Sequence, residues 1–113
     1  MRIQRGAVYL ADLNPSRGTE PGQIGPVVVV QTNLINTYHP STLVCPITTN
    51  VKKQVKYLRV HLSGPETGLD KSSDIMADQL RAIDNRRLLR QVGEVPRDQM
   101  KDLSENLKII LEL

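Results

Sequence analysis

Apolar residues fall in short runs along most of the chain and form a helical stripe only near its end. In residues 5–14, RGAVYLADLN, Val8 and Leu10 alternate with Ala7, Tyr9 and Ala11, and Asn14-Pro15 closes the run, which predicts a strand. Residues 15–26, PSRGTEPGQIGP, read as a long mobile loop, and loops of that length in a compact domain usually carry function. Val27 to Val30 follow without alternation, so residues 27–31 are expected to be a central strand buried on both faces. Residues 32–40 connect, with a short helical turn, to the apolar strand STLVCPITT (41–49), in which Pro46 implies an edge or a bulge. A basic turn (50–56) leads to YLRVHL (57–62). There Leu58, Val60 and Leu62 should point inward, and Tyr57, Arg59 and His61 outward. After a loop (63–73), residues 74–84 begin as a strand whose polarity pattern breaks at Asp78-Gln79, the mark of a bulge or a functional position. Residues 85–91 suggest a short helical turn and 92–95 a last strand.

The final stretch, 96–113, has the clearest period. Met100, Leu103, Leu107, Ile110 and Leu111 form one stripe, Pro96 suits the first helical position, and Asp98 sits where the helix dipole favours an anion. Such a stripe can bind a membrane or a partner, but packing onto a sheet is the simpler expectation. Short strands joined by turns and followed by one helix predict a mainly β fold with a C-terminal helix, a small and strongly bent sheet or barrel. No helices alternate with the strands, which disfavours a parallel α/β fold.

Composition narrows the function. At 113 residues one domain is expected. With no Trp, no Phe and three Tyr, the core must be aliphatic and an aromatic base-stacking platform is excluded. The net charge of +3 is uneven. Residues 1–96 carry twelve Lys/Arg against eight Asp/Glu, and residues 97–113 carry three against four. A basic body of this kind admits a polyanion partner such as nucleic acid, though charge alone fits a plain soluble protein equally well. Cys45, the one cysteine, lies in an apolar run and reads as a buried inert thiol. His39 and His61 are not at metal-ligand spacing with it, so no metal or cofactor is expected. No leader and no apolar run of membrane-spanning length is visible, which makes a cytoplasmic protein the expectation.

Candidate chemistry is confined to polar groups at strand ends and on the long loop: Arg17, Thr19 and Glu20, then Thr48 and Thr49, then Asp78, Gln79 and Arg81. Each also has an ordinary structural reading, such as a solvated loop carboxylate for Glu20, a strand-end β-former for Thr48 and a turn or cap for Asp78. Taken together with their order, however, the segments RGAVYLADLNPSRGTEPGQIGPVVVVQ, VCPITTN and ADQLRAID resemble the MazF/PemK family of bacterial toxins over essentially the whole chain. The resemblance implies an SH3-like barrel with a C-terminal helix. It implies a bacterial homodimer that cuts single-stranded mRNA, and a cognate antitoxin that blocks the RNA site with an acidic tail. The implied chemistry is metal-free attack of a ribose 2′-hydroxyl on the adjacent phosphorus. By that resemblance Glu20 is a candidate base, Thr48 a contact to the scissile phosphate, and Asp78 an acidic catalytic position. Gln79 becomes a base-reading or orienting amide, Arg81 a basic residue for RNA or for structure, and Arg17 and Thr19 loop contacts to RNA.

Two positions depart from the family pattern. Thr19 stands where one branch has a histidine, which removes a histidine mechanism there. Gly25 stands where the family has an arginine, its main donor to the transition-state phosphate, and losing one such donor costs about 10²–10³ in rate. Gly25 is therefore read as an inactivating substitution; a natural degenerate chain and compensation by another basic group, Arg17 being nearest, are the alternatives. The expected function is thus a sequence-specific endoribonuclease toxin that is impaired in this chain. The alternative is a non-catalytic toxin-like protein that acts on a protein such as DNA gyrase or titrates an antitoxin. A generic SH3-like adaptor fits least, because the aromatic groove it needs is missing.

Overall fold

The computed structural model describes residues 2–15, 18–20, 22–53 and 55–113. Val27, Val28 and Val29 lie on β2 (Ile24–Val29) with no side-chain exposure at all. β2 is flanked by β1 (Ala7–Asp12) and β3 (Ser41–Thr48). This explains the unbroken valine run, because both faces of this strand are covered. Val28 joins one apolar cluster, with Leu103 and Leu107 of the C-terminal helix; Val27 and Val29 join the other, with Tyr9 and Leu13. β1 also buries both faces: Val8 sides with Val28, while Ala7, Tyr9 and Ala11 side with Val27 and Val29.

The remaining strands are β4 (Arg59–Leu62), β5 (Ser73–Met76), β6 (Arg81–Asp84) and β7 (Leu88–Glu94). All described pairs are antiparallel, in the order β4-β5-β3-β2-β1-β7, with β6 paired to β3 as well. The sheet bends at β3. Its first half, Ser41–Val44, pairs with β6, and its end, Ile47 and Thr48, pairs with β5. No ladder joins the end strands β4 and β7. The barrel-like shape is completed by side packing instead, where a 3-10 turn (Pro65–Thr67) lies against β7. The approach is so close that a Cβ on Gly93 would run into the Thr67 carbonyl, so glycine is required there.

Pro46 is neither at a sheet edge nor in a bulge. The Val30 N–H donates to the Leu43 carbonyl at 3.0 Å, so two residues on, Val28 with Cys45 is the next hydrogen-bonding pair. Pro46, opposite Val27, therefore turns its nitrogen to β3's other side, in the gap between the β6 and β5 ladders where no donor is needed. The polarity break at Asp78-Gln79 is explained by the same switch. Residues 74–84 are not one strand but β5, a 3-10 turn (Ala77–Gln79) and β6, and the turn carries the chain from one half of β3 to the other.

Other expectations change. Gly25 and Pro26 belong to β2, opposite Ala11 and Leu10, rather than to the loop. Leu58 is exposed, because Tyr57 takes a left-handed conformation (φ 66°) and breaks the alternation before β4 starts. Residues 85–91 give only a 3-10 turn (Asn85–Arg87), and β7 begins at Leu88.

The two helices match their signals. α1 (Asn33–Asn36) is the short turn, capped by Thr32 Oγ1, which accepts from the Leu34 N–H at 3.2 Å. α2 (Arg97–Leu111) follows Pro96, which occupies the cap rather than the first helical position. Its residues Met100, Leu103 and Leu107 are buried against the cluster that holds Val8, Val60 and Leu62. Leu111 is exposed at the helix end, beyond the reach of the sheet. No helix among the described residues is long and apolar enough to cross a membrane.

Candidate functional site

Thr48 ends β3 and faces the start of β2. The β2–β3 ladder runs from Val29–Val44 to Val27–Pro46, which brings the residues before Val27 and those after Pro46 to the same end of the sheet. Side by side, these strand ends form one wall of a cleft of about 530 Å³, lined by Gln23, Ile24, Pro26, Ile47, Thr48 and Thr49. Residues 69–73 form the other wall, which includes Asp70 and Lys71. Thr48 Oγ1 accepts from the Asn50 N–H at 3.1 Å. With that lone pair engaged, the hydroxyl proton can be donated to an oxygen atom entering the cleft.

Nothing in the fold asks for glycine at position 25. Its φ is not in the left-handed range, and a Cβ built there meets no atom of the described residues within 4 Å. A side chain would grow from this position into open space.

The other predicted residues are spread around this pair. Thr19 is exposed and Glu20 half-buried in the segment between β1 and β2. Arg17 lies outside the described residues. Asp78 and Gln79 sit on the turn after β5, beside the middle of β3. The Asp78 charge is felt at Cys45, where burial first and Asp78 second push the thiol up to about 12. Asp78 and Gln79 are not among the residues that line the Thr48 cleft. Arg81 pairs with Val44 on β6 and is half-buried. One of its terminal nitrogens is buried with no hydrogen-bond partner among the described residues, an orphan donor that sets it apart from a plain surface arginine. The buried, inert reading of Cys45 agrees with its zero exposure.

Three charged residues were not singled out from sequence. Lys71 brings an ammonium to the cleft rim. Arg87 reaches back to the base of the long loop. Asp74 is 2% exposed and accepts from the Lys52 N–H at 2.8 Å and from Arg59 Nη1 at 3.3 Å, with His61 Nδ1 3.3 Å away. His61, expected to be simply solvated, therefore has a carboxylate partner directly across the β4–β5 pair. Arg59 and His61 lie on one side of β4, which was a usable signal for an acid on the neighbouring strand, but only once that neighbour was known.

Comparison with known proteins agrees with this architecture. A family model described as "PemK-like, MazF-like toxin of type II toxin-antitoxin system" matches residues 4–111. The chain is 34% identical over 113 residues to Endoribonuclease EndoA of Bacillus subtilis (strain 168), covering 100% of this chain and 97% of that protein. The MazF crystal structure (Form-I) from Deinococcus radiodurans superposes with a TM-score of 0.84 at 22% identity, over 100% of this chain and 99% of the other. An endoribonuclease in complex with its cognate antitoxin from Mycobacterial species superposes with a TM-score of 0.76 at 23% identity, over 99% and 95%. At such identities the two structures speak for the shared fold, while the family match and the Bacillus relative cover nearly the whole sequence. The chain belongs to the PemK-like, MazF-like family of toxins of type II toxin–antitoxin systems.

Proposed function

We propose that this toxin is a sequence-specific endoribonuclease for single-stranded RNA whose catalytic power is reduced by Gly25. The observation that carries the reading is the Thr48 hydroxyl in a cleft whose wall includes Ile24 and Pro26, the chain neighbours of a position 25 that has open space for a side chain. In the reaction, a base takes the proton of a ribose 2′-hydroxyl, and the 2′-oxygen bonds to the adjacent phosphorus. The phosphorus–5′-oxygen bond then breaks, and an acid returns a proton to the leaving oxygen. The products are a 2′,3′-cyclic phosphate and a 5′-hydroxyl. Thr48 donates to a non-bridging oxygen of the phosphorane, and Glu20 serves as base. Thr19, Arg17, Gln79 and Arg81 hold flanking nucleotides. A guanidinium at position 25 would supply the missing donor to the charged intermediate.

A cognate antitoxin with an acidic tail would compete with RNA for the same cleft, and the working unit would be a homodimer. Leu34 on α1 and Tyr38 just after it, 83% and 72% exposed, offer apolar surface for such an assembly.

The test is Gly25→Arg, incubated in chelator with a long single-stranded RNA. The variant should cut at fixed sites, leaving cyclic phosphate ends, about 10²–10³ times faster than the glycine chain. An arginine variant that leaves RNA whole yet still stops growth refutes the nuclease. It would favour the second reading, a toxin-like protein that acts by binding, for which the missing donor at position 25 is the supporting observation.

A further inference from the structure

The long loop between β1 and β2 has a narrow, hydrogen-bonded neck. The Leu13 N–H donates to the Gln23 carbonyl at 2.8 Å, and the Gln23 N–H donates to Asn14 Oδ1 at 2.6 Å. Gln23 itself has φ 63°, a conformation uncommon for a residue with a side chain, and these two bonds hold it there. Gln23 is also part of the wall of the Thr48 cleft. The neck therefore shapes the cleft directly.

Asn14 is held locally by its N–H, which donates to Asp12 Oδ1 at 3.1 Å, and also from far along the chain. Arg87 Nη1 donates to the Asn14 carbonyl at 2.7 Å and reaches the Asp12 carbonyl at 3.5 Å. The platform beneath Arg87 is itself fastened. Asn85 accepts from Thr42 Oγ1 at 2.6 Å and donates from Nδ2 to the His39 carbonyl at 2.8 Å, and Asp84 Oδ1 caps the turn through the Arg86 N–H at 2.8 Å. A charge-assisted bond from a fixed base to a backbone carbonyl is a directional restraint.

We infer that Arg87 is a positioning residue for the Thr48 cleft: it fixes Asn14, and through Asn14 it fixes Gln23 in the cleft wall. Its consequence for catalysis rests on the nuclease reading above; the restraint itself does not. Loss of the restraint loosens the neck without removing any group that touches the reacting phosphate, so turnover falls because the wall is misplaced.

The experiment measures two things in Arg87→Ala, Arg87→Lys and Arg86→Ala. Backbone amide exchange is read at Leu13 and Gln23, and RNA cleavage is read in the Gly25→Arg background as kcat and KM separately. Arg86 bonds to Asp84 and not to the neck, so Arg86→Ala removes an equal charge while leaving the restraint intact. Arg87→Ala should speed exchange at both amides about tenfold or more. It should lower kcat about tenfold to a hundredfold, with a smaller change in KM. Arg87→Lys, which keeps the charge and stem, should recover part of both and also covers failure of the alanine chain to fold. Arg86→Ala should leave exchange unchanged. Unaltered exchange in Arg87→Ala overturns the restraint, whatever cleavage does. Faster exchange with unaltered kcat overturns the positioning role. A parental Gly25→Arg chain that cuts no RNA overturns the nuclease reading alone, and the exchange data still decide the restraint.

Discussion

Asp74→Ala would remove a carboxylate on which three residues lean, Lys52, Arg59 and His61. The acid is 2% exposed, and the Arg59 side chain that meets it is 14% exposed. Breaking a buried ion pair from one side costs about 3–5 kcal/mol, mostly because the remaining charge is stranded. Two features reduce that figure. Arg59 Nη1 also donates to the Asn50 carbonyl at 3.0 Å, so the guanidinium keeps an acceptor. The His61 side chain is 51% exposed, so water replaces its share of the interaction. Against this, the Lys52 N–H loses a charged acceptor, which adds about 1–2 kcal/mol. A net loss of about 3–4 kcal/mol follows. Asp74→Asn keeps the shape and one acceptor oxygen and should lose about 1–2 kcal/mol. At about 4 °C per kcal/mol for a domain of this size, alanine lowers Tm by about 12–16 °C and asparagine by about 4–8 °C. Calorimetry and urea titration measure both. The double variant Arg59→Met, Asp74→Ala strands no charge, so its loss should fall short of the sum of the singles by about 1 kcal/mol or more. An alanine loss under about 1 kcal/mol, or a strictly additive double variant, would refute the buried-pair account.

Two predictions concern titration. Cys45, held up to about 12 from an ordinary 9.0 by burial and by Asp78, keeps a proton that the unfolded chain releases. Its contribution to stability is full below pH 9.0 and fades as the pH climbs to about 12, so the urea midpoint should fall across that window more in the parent than in Cys45→Ala. Asp84 is lowered from 3.8 to about 2, first by its hydrogen bonds from Arg86. What it contributes is present above pH 3.8 and is lost as the pH falls toward 2. A carboxyl-carbon NMR titration should show the low midpoint, and Arg86→Ala should return it toward 3.8.

The parts of the fold that were legible in sequence are those in which one short segment carries the whole signal. Four valines in a row can only be comfortable with both faces covered, and Met100, Leu103 and Leu107 repeat at helical spacing; both expectations hold. What was not legible depends on pairing between distant segments. Asp74 was not singled out because nothing local reveals that His61 stands opposite and Arg59 diagonal to it. Pro46 looked like an edge marker because the sequence does not show that β3 changes partners at that point. The same limit applies to the site. Thr48 was picked out by family pattern, but Gln23 and Lys71 share its cleft only because β2, β3 and the segment before β5 converge. Asp78 and Gln79, picked out by the same family pattern, lie on a turn packed against β3 and are not among the residues that line that cleft.

Position 25 separates architecture from chemistry. Glycines kept for folding have a visible cause, such as the crowding of Gly93 by the Thr67 carbonyl or the left-handed φ of 71° at Gly68. Gly25 has neither, and it lies in a strand, where glycine is a weaker choice than almost any residue with a side chain. Groups that serve catalysis usually cost stability, because they hold charge or strain that the fold alone would not choose. Here the two demands point the same way. An arginine at this position would suit the strand better than glycine and, on the nuclease reading, would supply the missing donor. Gly25→Arg should therefore raise RNA cleavage with no loss of Tm. A gain in cleavage accompanied by a clear fall in Tm would mean that glycine serves the fold after all, through a crowding that the open space beside it does not show.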